Sequence, residues 1–63
     1  MELHTFYGID EYKDRKAYVF LEEDGSYTVT MLKDITIVED RNIKGHSETY
    51  AENCAENWVL GII

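Results

Sequence analysis

The sequence predicts an α+β fold: an antiparallel three- or four-stranded sheet with one C-terminal helix packed on one face. Three observations lead there. Tyr50, Ala51, Cys54, Ala55, Trp58 and Val59 recur in adjacent pairs at four-residue intervals, which puts them on one side of an α-helix. Two β-rich runs flank Glu23-Asp24-Gly25, and Asp-Gly between such runs signals a hairpin. The alternation of the second run then continues past Lys33-Asp34 to Ile37.

Taken in chain order, Leu3, Thr5, Tyr7 and Ile9 alternate with Glu2, His4, Phe6 and Gly8, a strand over residues 3–9. Asp10 to Lys16 is charged with mixed signs and reads as a loop. Residues 16–22 and 26–32 form the hairpin. A two-residue turn at Asp24-Gly25 would set Glu22 opposite Tyr27, Phe20 opposite Val29 and Tyr18 opposite Met31. That bulky aromatic face should meet the helix, with Trp58, Tyr50 and Cys54 on Phe20, Val29, Met31 and Ile37. The other face would hold Ala17, Val19, Leu21, Leu32 and Val38 among threonines. Either one long bent strand spans both runs or a break at Lys33-Asp34 separates a fourth strand, 35–38, from the third; the break is favoured because lone strands of that length are uncommon. Residues 39–46 form a polar connection. The helix spans 47–60, with Ser47 as N-cap and Gly61 where a left-handed cap is cheap.

Sixty-three residues allow one domain, 1–63, and a chain so short buries only about 60% of its unfolded surface. Cys54 is the single cysteine, so no disulfide within the chain can help; a reducing compartment fits. An oligomer interface could supply burial, and the second sheet face together with Leu60, Ile62 and Ile63 makes a homodimer the expected form. Thirteen acidic against six basic residues give a net charge of −7. That field opposes nucleic acid and anionic membranes and favours a protein partner with a basic surface. No apolar run is long enough to span a bilayer and no signal-peptide pattern opens the chain, so a soluble, cytoplasmic protein is expected.

Two groups of residues carry functional expectations. Glu48, Glu52 and Glu56 stand four apart with no Lys or Arg after Lys44, a negative stripe that could meet a basic partner. A solvated helix face accounts for the same residues. Arg41, Lys44, His46 and Ser47 gather at the amino end of the helix, where free N–H groups suit an anion. A capped helix start explains these too, and Glu48 competes for the amides. His4 and His46 lack a Cys or carboxylate at ligand spacing, so no metal site is expected. Cys54 reads as a small core side chain. No triad, paired acid and base, or cofactor loop appears; no enzyme activity and no cofactor are expected.

The run Ala17-Tyr-Val-Phe-Leu-Glu-Glu-Asp-Gly-Ser-Tyr-Thr-Val-Thr-Met-Leu32, followed by the Tyr50–Trp58 helix, resembles the sheet-plus-helix half of HicB-type antitoxins. The tail Gly45-His46-Ser47-Glu48 through Ala55-Glu56-Asn57-Trp58-Val59-Leu60-Gly61 is similar to small uncharacterised proteins of tailed phages, including cyanophages. The second resemblance implies a phage accessory factor that binds a host protein in the host cytoplasm; the first implies a degenerate toxin-neutralising domain. The main reading is therefore a small acidic non-enzymatic interaction protein. The alternative from another class is a small-ligand or anion-binding oligomer using residues 41–47.

Overall fold

The computed structural model describes residues 1–62. Strands β1 (Glu2–Tyr7), β2 (Arg15–Leu21), β3 (Tyr27–Lys33) and β4 (Thr36–Ile43) precede helix α1 (Glu48–Val59). The strands form one antiparallel sheet in the order β1-β2-β3-β4. The helix lies over β2 and β3 and reaches β1, leaving the opposite sheet face open. This is the α+β architecture that the helical and alternating patterns imply.

The core is a single layer between helix and sheet. Ala17, Val19, Val29, Met31 and Ile43 from the strands meet Ala51, Ala55 and Val59 from the helix, all buried. Phe6, Tyr27, Cys54 and Trp58 pack around them. Ala51 and Ala55 have little side chain to hold the helix off the sheet, so Met31, Val19 and Val29 fill the space beneath. Tyr50, expected on this face, is half-exposed and instead stacks on His46 with ring centroids 3.9 Å apart.

The hairpin register corrects the expected pairing. Val19 faces Val29, Ala17 faces Met31 and Leu21 faces Tyr27. The loop has three residues, Glu23-Asp24-Gly25, closed by the Glu22 N–H to Ser26 carbonyl bond at 2.9 Å and the Gly25 N–H to Glu22 carbonyl bond at 3.0 Å. Gly25, at φ 85°, supplies the left-handed residue such a loop requires. One extra loop residue moves every β2 side chain to the opposite face. Val19 is therefore fully buried, while Tyr18 and Phe20 lie on the open face.

A second irregularity reassigns Ile37 and Val38. Met31 pairs with Glu39 but Leu32 pairs with Ile37, so Val38 is the extra residue of a bulge. Ile37 shares the open face with Leu32, and both Ile37 and Val38 are exposed. Residues 39–43, expected to be connection, continue β4, and the strand break falls at Asp34-Ile35. Within the expected loop 10–16, Asp10–Tyr12 form a 3-10 turn. Ile63, expected to add apolar surface, lies outside the described residues.

Both helix ends are closed by their own sequence. The Tyr50 N–H donates to Ser47 Oγ at 3.2 Å. At the other end Gly61, at φ 77°, donates to the Trp58 carbonyl and Ile62 donates to the Asn57 carbonyl. Those two bonds define a Schellman cap, which only a residue tolerant of positive φ completes without strain.

Candidate functional site

Three polar places stand out on this scaffold. The first is an open trough at the loop end of β2 and β3, lined by Glu22, Glu23, Asp24, Ser26, Thr28, Asp40, Asn42 and Lys44. Cross-strand pairing builds it: Thr28 faces Asn42 and Thr30 faces Asp40 on the open side of the sheet. Asn42 Nδ2 donates to Ser26 Oγ and Thr28 Oγ1, each at 3.1 Å. Thr30 Oγ1 donates to an Asp40 carboxylate oxygen at 2.7 Å. Asp24 accepts from the Ser26 hydroxyl at 2.6 Å and the Ser26 N–H at 2.9 Å. These two bonds, the hydroxyl first, hold the Asp24 carboxyl below its ordinary pKa, with Lys44 adding a smaller electrostatic effect. Four carboxylates and one lysine thus line a surface whose polar side chains are already oriented.

The second place joins the start of the helix to β1. His4 faces Val19 across the β1–β2 pair, so its imidazole lies on the helix side of the sheet. Glu48 and Glu52, one turn apart, come down over it. His4 Nε2 lies 2.7 Å from Glu48 Oε2 and 3.2 Å from Glu52 Oε1. The hydrogen bond to Glu48, aided by the charges of Glu52 and Glu48 against a desolvation penalty, raises the His4 pKa above its ordinary value. One donor atom from each of these three side chains lies within 4.8 Å of the others, a set able to hold a metal ion. Sequence reasoning missed this group because His4 is 44 or more residues from both glutamates; only the parity of His4 on β1 hinted at which way it points.

The third is a groove between helix and β4, lined by Arg41, Tyr50, Asn53, Cys54 and Asn57. Arg41 faces Val29 across β3–β4, on the helix side. Its Nε donates to Glu39, and its Nη1 approaches Cys54 Sγ at 3.6 Å. Both contacts and the negative partner raise its already high pKa.

The residues of the two sequence-based expectations separate in space. Of the stripe, Glu48 and Glu52 engage His4, and Glu56 is exposed on the helix surface. Of the anion group, Ser47 is spent on its capping bond and His46 stacks on Tyr50. Arg41 and Lys44 line different depressions, the groove and the trough.

Among the described residues no helix is long and apolar enough to cross a membrane. The chain matches no protein-family model, and no curated protein or solved structure shows significant similarity to it.

Proposed function

We propose that this chain is a small acidic, non-enzymatic interaction protein that docks on a basic protein surface. The observation that carries this reading is the trough, where Glu22, Glu23, Asp24 and Asp40 share one open surface with Lys44, the one cation in its lining among the described residues. Carboxylates held by Ser26 and Thr30 need little reordering to receive lysine or arginine side chains, so less of the contact energy is lost to entropy. The trough serves this role better than the helix stripe, two of whose three carboxylates already face His4. On the resemblance of the tail to phage proteins, the partner would belong to the host.

The test is capture from lysate by the immobilised chain, at low and high salt, compared with Glu23→Lys/Asp40→Lys and with Glu56→Lys. A partner lost at high salt and lost to the trough variant, but kept by Glu56→Lys, supports the reading. Capture indifferent to salt and to charge reversal in the trough defeats it.

A second reading, self-association, draws on a different surface. β4 is an edge strand; Ile35 in the turn before it and Ile37 and Val38 at its start are 95%, 60% and 55% exposed. Unpaired edge amides beside exposed aliphatics favour pairing with a second copy. A light-scattering mass of two chains, reduced to one by Ile37→Lys, supports a homodimer; a mass of one chain for the unaltered protein removes it.

A further inference from the structure

We propose that His4, Glu48 and Glu52 form a binding site for a divalent transition cation, of the zinc class, that ties β1 to the first two turns of the helix. Two segments converge here: a strand residue with a nitrogen donor, and two residues of one helix with oxygen donors on one face. An imidazole with two carboxylates is a mixed donor set, more selective than acidic side chains alone, because nitrogen is a poor ligand for magnesium and calcium and a good one for zinc. The spacing also suits a small ion. Tetrahedral ligands at about 2.0–2.1 Å from zinc stand about 3.3–3.4 Å from one another. His4 Nε2 is already 3.2 Å from Glu52 Oε1 and 2.7 Å from Glu48 Oε2. The His4–Glu52 separation therefore already matches that of two ligands on one ion. The His4–Glu48 separation must widen by about 0.6 Å, on a side chain that is 43% exposed.

Charge points the same way. Two carboxylates and one imidazole stay net negative even when His4 holds its proton, and no Lys or Arg is paired with either glutamate among the described residues. A divalent ion cancels that charge in place. The three side chains keep about a third or more of their surface in solvent, so the fourth position is open to water. The site is of the open, three-ligand type. A proton on His4 satisfies the same carboxylates when metal is absent, so proton and metal compete for one nitrogen.

The test uses the full chain, stripped by chelator and titrated with zinc chloride in a non-coordinating buffer. The expected result is one zinc per chain and a rise in thermal midpoint with zinc concentration. His4→Gln and the near-isosteric Glu52→Gln should each weaken binding by at least about tenfold, since loss of mere supporting residues around metals already costs about 10–100-fold. Glu56→Gln and Cys54→Ser should bind zinc like the unaltered chain. Cobalt in place of zinc should give the intense visible bands of a four-coordinate ion, lost in His4→Gln. Zinc affinity unchanged in His4→Gln, or no saturable binding by the unaltered chain, overturns the proposal. Circular dichroism of each variant keeps loss of fold from passing as loss of ligand.

Discussion

Arg15 donates from Nη1 to the main-chain carbonyl of Trp58 at 2.7 Å, while its guanidinium carbon sits 4.8 Å from the centres of both the Trp58 and Tyr12 rings. One side chain at the start of β2 therefore adds a second donor to the carboxyl end of the helix, beside the Gly61 N–H, and fills the corner between strand, 3-10 turn and cap. A cation is favoured at that end of the helix dipole, and α1 has no basic residue of its own in its last turn. Removing the side chain should destabilise the protein by roughly 1–3 kcal/mol, the sum of a charge-assisted hydrogen bond and partly exposed cation–π contacts. Urea unfolding should place Arg15→Ala lowest and Arg15→Lys between it and the unaltered protein. Lysine keeps the charge but cannot stack and donate at once.

Gly8 lies in the same corner and should tolerate no side chain. A methyl group there would meet the Tyr12 carbonyl oxygen at 1.9 Å and the Val59 carbonyl oxygen at 2.9 Å, both main-chain atoms. Gly8→Ala should cost about 3 kcal/mol or more, the upper range for overpacking. Gly25→Ala meets open space and loses only the freedom to hold φ 85°, so about 1–2 kcal/mol is expected. Thermal unfolding of the two variants would show whether backbone crowding outweighs dihedral strain here.

The register of the hairpin makes Val19 and Phe20 unequal. Val19→Ala opens space in the fully buried centre and should cost about 2–3 kcal/mol. Phe20→Ser, on the open face, should cost about 1 kcal/mol. Chemical denaturation that ranks them the other way would contradict the pairing of Val19 with Val29.

Asp24 should titrate below the ordinary carboxylate range, and Ser26→Ala should return it toward that range by removing its largest stabilising contact. The sign follows from linkage. Because the folded carboxyl is the stronger acid, its contribution is complete above the unfolded pKa and fades as pH falls through the lower folded one. Carbon-detected NMR titration of the Asp24 carboxyl in both proteins measures the difference directly. An unchanged midpoint in Ser26→Ala would assign the effect elsewhere.

Much of the scaffold can be read from neighbouring residues. Ser47, the four-residue rhythm from Tyr50 to Val59 and Gly61 specify a capped helix, because capping and amphipathicity act within a few residues. The Asp24-Gly25 pair marks where β2 turns into β3. It leaves open whether two or three residues make the turn, since glycine at positive φ suits both. Parity, and with it the choice between Val19 and Phe20 for the core, hangs on that single residue. The bulge at Val38 escapes for a similar reason: an extra strand residue changes no local pattern strongly enough to be seen.

The sequence by itself determined a helix, the β-forming runs of a three- or four-stranded sheet, the place of the hairpin turn and a strongly acidic balance, all properties of adjacent residues or of simple sums. Tertiary structure alone decided which side of β2 is buried, that Arg15 joins the Gly61 N–H at the Trp58 carbonyl, and that His4 meets Glu48 and Glu52. Each of these depends on contacts between segments far apart in the chain. Such contacts are settled by how strands register and how the helix settles on them, and no local periodicity encodes either.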